Sequence, residues 1–254
     1  MEQNQAVRRT RRRRRRSPIG RLLTFCLICL VLFFGVSVFF QISVIHVEGI
    51  TRYSRDEIIE AAGVGYGSRL FLVNSTAAEN GIRSRLSHVE TADVSLRFPG
   101  RVEITVKDAR PLAAVRTDNG YLILDRECRV LQRGDSAQAA GLITIWGIDP
   151  ILPTEGEILA LGEEEREKIP YLRELLTALY NEDVAHRVER IDISWVNDLR
   201  LIYDDRFEVH FGGNRQVDAK VRAMIRVSET LGSYEEGIID LSQGRNAYFR
   251  PDGP

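Results

Sequence analysis

Apolar positions fall into three successive patterns along this chain. Leu22 to Phe40 is an unbroken run of nineteen residues without a charge; as a helix rising 1.5 Å per residue it covers about 28 Å, close to the ~30 Å hydrocarbon core of a bilayer. Shorter runs follow. Ser43 to Gly49 (SVIHVEG) predicts a strand stopped by glycine, and Thr51 to Ala62 a helix with a capping box, Ser54 at the N-cap and Glu57 three residues on, closed by Gly63. Leu70, Phe71 and Leu72 are expected to plug a core, and Thr76 with Glu79 to open a second helix to about Ser87, in which Gly81 is a weak point. Val94, Leu96 and Phe98 alternate, Pro99-Gly100 turns the chain, and Val102, Ile104 and Val106 alternate again. Each strand therefore turns one face to a core. The order β-α-α-β-β predicts three strands covered on one face by two helices.

Beyond Pro111 the pattern is richer in strands. Leu112 to Val115, Tyr121 to Leu124 and Arg129 to Leu131 read as short strands, with turns at Asp118-Asn-Gly120 and Asp125-Arg-Glu127. Gly147 to Gly162 is a loop by composition, and Gly162 to Asn181 a helix whose acidic first turn, Glu163 to Glu165, suits the positive end of the helix dipole better than a metal. Val188 to Ile193, Leu199 to Tyr203 and Phe207 to Phe211 alternate as strands, the last two joined by Asp204-Asp205-Arg206. Val217, Val221, Met224, Ile225 and Ser228 trace the buried stripe of another helix. Ile238 to Leu241 and Asn246 to Arg250 close the pattern.

Charge adds direction. Residues 1–21 hold nine arginines against Glu2, whereas the remaining 233 residues carry a net charge of −9. Arginine is costly to translocate, so the arm (residues 1–21) is expected in the cytoplasm, residues 22–40 across the membrane, and everything after Phe40 outside. The run exceeds the core of a cleaved signal peptide, and its one small-x-small site, Gly35-Val36-Ser37, lies inside it, so a retained anchor is expected. Beside a spanning helix, topology and anionic lipid explain the arginines without nucleic acid. Cys26 and Cys29 fall in the apolar run, leaving Cys128 alone outside it, so no disulfide can form within the exported part.

Several strings carry a resemblance. Val44-x-x-Val47-x-Gly49, the helix start Ser54-Arg-Asp-Glu-Ile-Ile59, Gly67-Ser-Arg-Leu-Phe71, Phe98-Pro99 and Val102-x-Ile104-x-Val106, directly after a single apolar run, resemble a POTRA domain, in particular that of the bacterial division proteins FtsQ and DivIB. Ile191-Asp-Ile193, Phe207 to Gly213 (FEVHFGG), a basic helix and Gly237-Ile-Ile-Asp-Leu241 resemble the β domain of the same family. The likeness runs from about residue 8 to 251. It departs in two places: Asp108-Ala-Arg-Pro111 stands where the family usually shows Glu-Arg-x-Pro, and Cys128 where its Asp-x-x-Gly turn has glycine.

The expected fold is α+β: a transmembrane helix, a POTRA domain over 41–110 and a β-rich domain with helices over 111–254. The resemblance implies a non-enzymatic scaffold of the division septum that binds FtsL-like and FtsB/DivIC-like partners and helps control septal wall synthesis. It carries no cofactor, metal or small-molecule substrate. A membrane-anchored wall hydrolase is the rival, but His46, His88, His186 and His210 lie far apart, Glu208 with His210 makes at most two ligands on one strand face, and no nucleophile motif occurs. By the family's pattern, the partner segment adds to the last strand, at Asp240 and Leu241 by motif and at Ala247, Tyr248, Phe249 and Arg250 by position. Whether Tyr248 and Phe249 serve the interface or the core stays open at this stage.

Overall fold

The computed structural model describes residues 18–243 and 247–251; the basic arm from Arg8 to Arg16 lies outside them. Helix α1 (Pro18–Phe39) follows the apolar run. Side chains at 18–21, 32–34 and 36–39 lie outside the description, and among the described residues no helix is long and apolar enough to cross a membrane.

The chain then folds as β1 (Val44–Ile50), α2 (Arg55–Ala62), a 3-10 turn (Leu70–Leu72), α3 (Ser75–Arg85), β2 (Val89–Arg97) and β3 (Arg101–Asp108). β3 lies between β1 and β2, parallel to β1 and antiparallel to β2, and both helices pack on one face over Ile45, Val94 and Ile104. Ser54 and Glu57 form the expected capping box, and Gly63 closes α2 in the left-handed region. The second helix starts otherwise. Asn74 caps it by accepting from the Ala77 amide, and Glu79, free of capping, accepts from the Val94 amide at 3.0 Å and ties α3 to β2. Only Leu70 of the Leu70–Leu72 plug is buried; Phe71 is 51% and Leu72 69% exposed. Phe98 also departs from the expected inward face and is 69% exposed, because β2 ends at Arg97 and the turn carries it outward.

Gly81 turns out to be a close-packing glycine, since a Cβ there would lie 2.7 Å from the Ala61 carbonyl oxygen of α2. In an open helix Gly→Ala gains up to ~1 kcal/mol. Here Gly81→Ala is expected to destabilise by about 1–2 kcal/mol, as overpacking does, read as a melting temperature lowered by roughly 2–8 °C. A rise in thermal denaturation would contradict the close helix contact.

The second unit comprises β4 (Ala113–Thr117), β5 (Gly120–Leu124), β6 (Val130–Gly134), α4 (Ser136–Ala139), β7 (Ile143–Trp146), α5 (Lys168–Asn181), β8 (Val188–Asp192), β9 (Leu199–Tyr203), β10 (Phe207–Gly212), α6 (Val217–Thr230), β11 (Gly237–Asp240) and β12 (Tyr248–Pro251). Its nine strands form one sheet in the order β12-β11-β10-β9-β8-β7-β4-β5-β6. The unforeseen β7 joins the halves by pairing in parallel with both β4 and β8. α5 and α6 contribute Leu172, Leu175, Leu176, Val221 and Met224 to one core with Ile191, Leu201 and Phe211. The acidic run forms a separate 3-10 turn, Glu163–Glu165, and α5 begins only at Lys168, with Pro170 in its first turn, where a missing N–H costs nothing. At the β9–β10 hairpin Asp204 and Asp205 both take positive φ, 58° and 56°, as a type I′ turn requires. Cys128 fits its turn similarly: its φ is 60° and it is fully buried, in the conformation glycine favours.

The two units pack against each other. Arg129 Nη1 donates to the carbonyls of Arg83 in α3 and Gly156, both at 3.0 Å, and Arg126 pairs with Glu90 of β2 at 2.7 Å.

Candidate partner-binding edge

The last two strands are held from below by α6 and sideways by β10. β11 runs parallel to β10, and β12 returns antiparallel to β11 with Asp240 opposite Tyr248 and Ile238 opposite Arg250. Leu241 is buried, and its amide donates to His210 O at 2.9 Å. Asp240 closes β11: its carboxylate accepts from the Ser242 amide at 2.9 Å and from the Ser242 hydroxyl at 2.6 Å. The hydroxyl, foremost, holds that carboxyl below its usual range. Asp192 does the same with Ser194 at the end of β8, so the repeated string Ile-Asp-x-Ser is a strand-ending device in both places.

Where β10 ends, Lys220 of α6 is buried, its Nζ donating to Phe211 O at 2.7 Å and Gly213 O at 2.8 Å. Burial lowers its pKa. The Tyr171 hydroxyl of α5 donates to Gly212 O at 2.7 Å. These contacts fasten the Gly212-Gly213 bend from which α6 starts. Sequence reasoning missed Lys220, because a lysine among apolar helix positions carries no local sign that strand carbonyls will meet it.

The two edges of the sheet differ. Along β6 the loop after β7 closes the outer side: Val130 N donates to Glu157 O at 2.9 Å and Gly156 N to Val130 O at 2.8 Å. β12 is the opposite edge, and among the described residues no strand pairs with its outer side. Alternation sorts its residues. Ala247 and Phe249 turn inward and pack on the core, Phe249 edge-to-face with Phe207 at 6.1 Å. Tyr248 and Arg250 turn outward, Tyr248 being 55% exposed. A cleft of about 560 Å³ runs between this edge and α6, lined by Arg226, Val227, Leu231, Ala247 and Tyr248. Arg226 in this lining and Arg250 on β12 are both exposed.

The face of the sheet away from α5 and α6 carries paired charges. There His210 Nε2 lies 3.0 Å from Glu208, and Glu208 also pairs with Arg200 at 3.4 Å, a surface ion cluster. Among the described residues no group of three or more His, Cys, Asp or Glu is placed to hold a metal. Burial raises the Cys128 thiol well above its ordinary pKa, so it stays protonated and inert.

Comparison with known proteins bears on this geometry. Residues 40–108 match the family described as POTRA domain, FtsQ-type. The chain is 22% identical over 241 residues to the cell division protein DivIB of Clostridium botulinum (strain Hall), covering 94% of this chain and 93% of that protein. It is 20% identical over 207 residues to DivIB of Clostridium tetani, covering 80% and 77%. With the cell division protein FtsQ of Corynebacterium glutamicum it shares 23% identity over 211 residues, covering 81% and 88%.

Proposed function

Since this chain belongs to the FtsQ/DivIB family of bacterial cell division proteins, we propose that it is a non-enzymatic, single-span scaffold of the division septum. It receives an extended segment of an FtsB/DivIC-like partner, with an FtsL-like one alongside, and so helps control septal wall synthesis. The observation that carries this reading is the asymmetry of the sheet: Val130 on the β6 edge bonds to the protein's own loop, whereas among the described residues no strand pairs with the outer side of β12. An unpaired edge is a liability in a lone protein and a template for a partner strand. The outward side chains of β12 and the adjoining cleft on α6 supply the side-chain contacts that backbone pairing lacks, and the exposed Arg226 and Arg250 favour an acidic segment.

In this reading α1 is the anchor, with the nine-arginine arm (residues 1–21) in the cytoplasm and both folded units outside. The test is topological and biochemical together. A phosphatase fused after Pro254 is expected to be active outside the cell and one fused before Ile19 inactive, and small coiled-coil division proteins with one span each are expected to copurify from solubilised cells. Activity of both fusions, or of the N-terminal one alone, would overturn the orientation. Copurification of wall polymer without such proteins would overturn the scaffold.

A further inference from the structure

The exit of the chain from α1 is built without slack. α1 ends at Phe39, and already the Phe40 carbonyl accepts from the Leu70 amide at 2.9 Å. Ile42 N donates to Ser68 O at 2.8 Å, Gly67 N to Ile42 O at 2.9 Å, and Ser43 N to Gly100 O at 2.8 Å. Residues 40–43 are thus clamped between two loops of the POTRA domain, the 3-10 turn on one side and the Phe98-Pro99-Gly100 turn on the other. No linker separates helix from domain.

Those two loops carry the apolar side chains that the domain core does not use. Phe98 and Leu72 are each 69% exposed and Phe71 51%, and the Phe98 ring stands edge-on to Phe40 at 5.7 Å. Leu70, just before Phe71, is fully buried, so the loop's core requirement is already met and the two residues that follow it serve something else. Arg69, Arg97 and Arg101 border the group, the last two sharing Glu103 at 2.9 and 3.9 Å. Exposed aromatic and aliphatic side chains fringed by arginine fit the headgroup boundary of a bilayer, where rings bury in the acyl edge and guanidinium groups reach phosphates.

We infer that this end of the POTRA domain rests in the headgroup layer of the membrane that holds α1, seated by Phe71, Leu72 and Phe98. The inference depends on α1 spanning the bilayer, since only then does the absence of a linker bring both loops to the lipid surface. Its consequence is an ectodomain held at a set tilt, with the open β12 edge at a set orientation above the membrane.

Full-length protein, with Trp146→Phe and Trp195→Phe as background, carries a single reporter in three versions: Phe98→Trp, Leu72→Trp, and Tyr234→Trp on a distant loop where Tyr234 is 97% exposed. Each is reconstituted into phosphatidylcholine–phosphatidylglycerol vesicles with and without bromine on the acyl chains, and flotation is scored on the same samples. Reporters at 98 and 72 are expected to lose at least about half their emission in brominated vesicles, as an indole at the headgroup boundary does, with the reporter at 234 unchanged. Protein that floats while all three reporters stay equally bright would overturn the seated domain and leave the anchor standing. Protein that fails to float would overturn the anchor, and this inference with it.

Discussion

Lys220→Met lowers the stability of the ectodomain by about 3 kcal/mol, or roughly 6–12 °C in melting temperature. Methionine keeps the length and apolar stem of the side chain, so little packing is lost. What is lost is the donor to Phe211 O and Gly213 O, at 2.7 and 2.8 Å. The buried Phe211 carbonyl loses this donor, and the half-buried Gly213 carbonyl loses it too; an unsatisfied buried group costs about 1–3 kcal/mol. Because these carbonyls lie where β10 ends, just before α6 begins, the loss also loosens the β10–β12 margin. Amide exchange in 237–241 should accelerate more than in β4 or β5. An unchanged melt would mean that the bend is held by Tyr171 and backbone pairing alone.

The second large effect separates the two aromatics of the last strand. Tyr248→Lys is expected to leave the melting temperature within about 2 °C of the parent, as exposed substitutions do, and to weaken capture of an FtsB/DivIC-like ectodomain about thirtyfold, the weight of a hot-spot contact near 2 kcal/mol. Phe249→Lys puts a charge where a ring packs edge-to-face on Phe207, and is expected to cost about 2 kcal/mol of folding stability as well as binding. Melting curves and a pulldown on both variants make the comparison. Equal binding by Tyr248→Lys and parent would remove the outward side of β12 from the interface.

Much of this architecture is legible locally. The capping box at Ser54 and Glu57 and the period-2 alternation of Val102, Ile104 and Val106 need only neighbours in sequence, and the structure contains both. Where two signals compete within a few residues, the reading slips. Asn74 takes the cap for which Thr76 competes, because either side chain can satisfy the first-turn amides and the chain path picks one. Phe98 and the Phe71–Leu72 pair look like core by hydrophobicity, yet burial depends on where the turn points.

Long-range facts were not legible at all. β7 is four residues long and central only because β4 and β8 flank it. Gly81 looked like a defect until α2 lay against it. Of the proposed partner-binding residues, Leu241 is buried and Asp240 is engaged with Ser242, while Tyr248 and Arg250 face outward. That β12 is the last strand of its sheet among the described residues is a property of strand order, which no window of sequence contains.

Amide hydrogen exchange of the ectodomain, with and without a saturating FtsB/DivIC-like ectodomain, tests strand addition most directly. Backbone pairing must slow the outward amides of residues 247–250 by at least about tenfold, with slowing also along the α6 residues of the cleft, while β6 amides at the opposite edge stay as they were. Saturable binding that leaves residues 247–250 exchanging at their free rate would contradict the account, whatever other surface it protects.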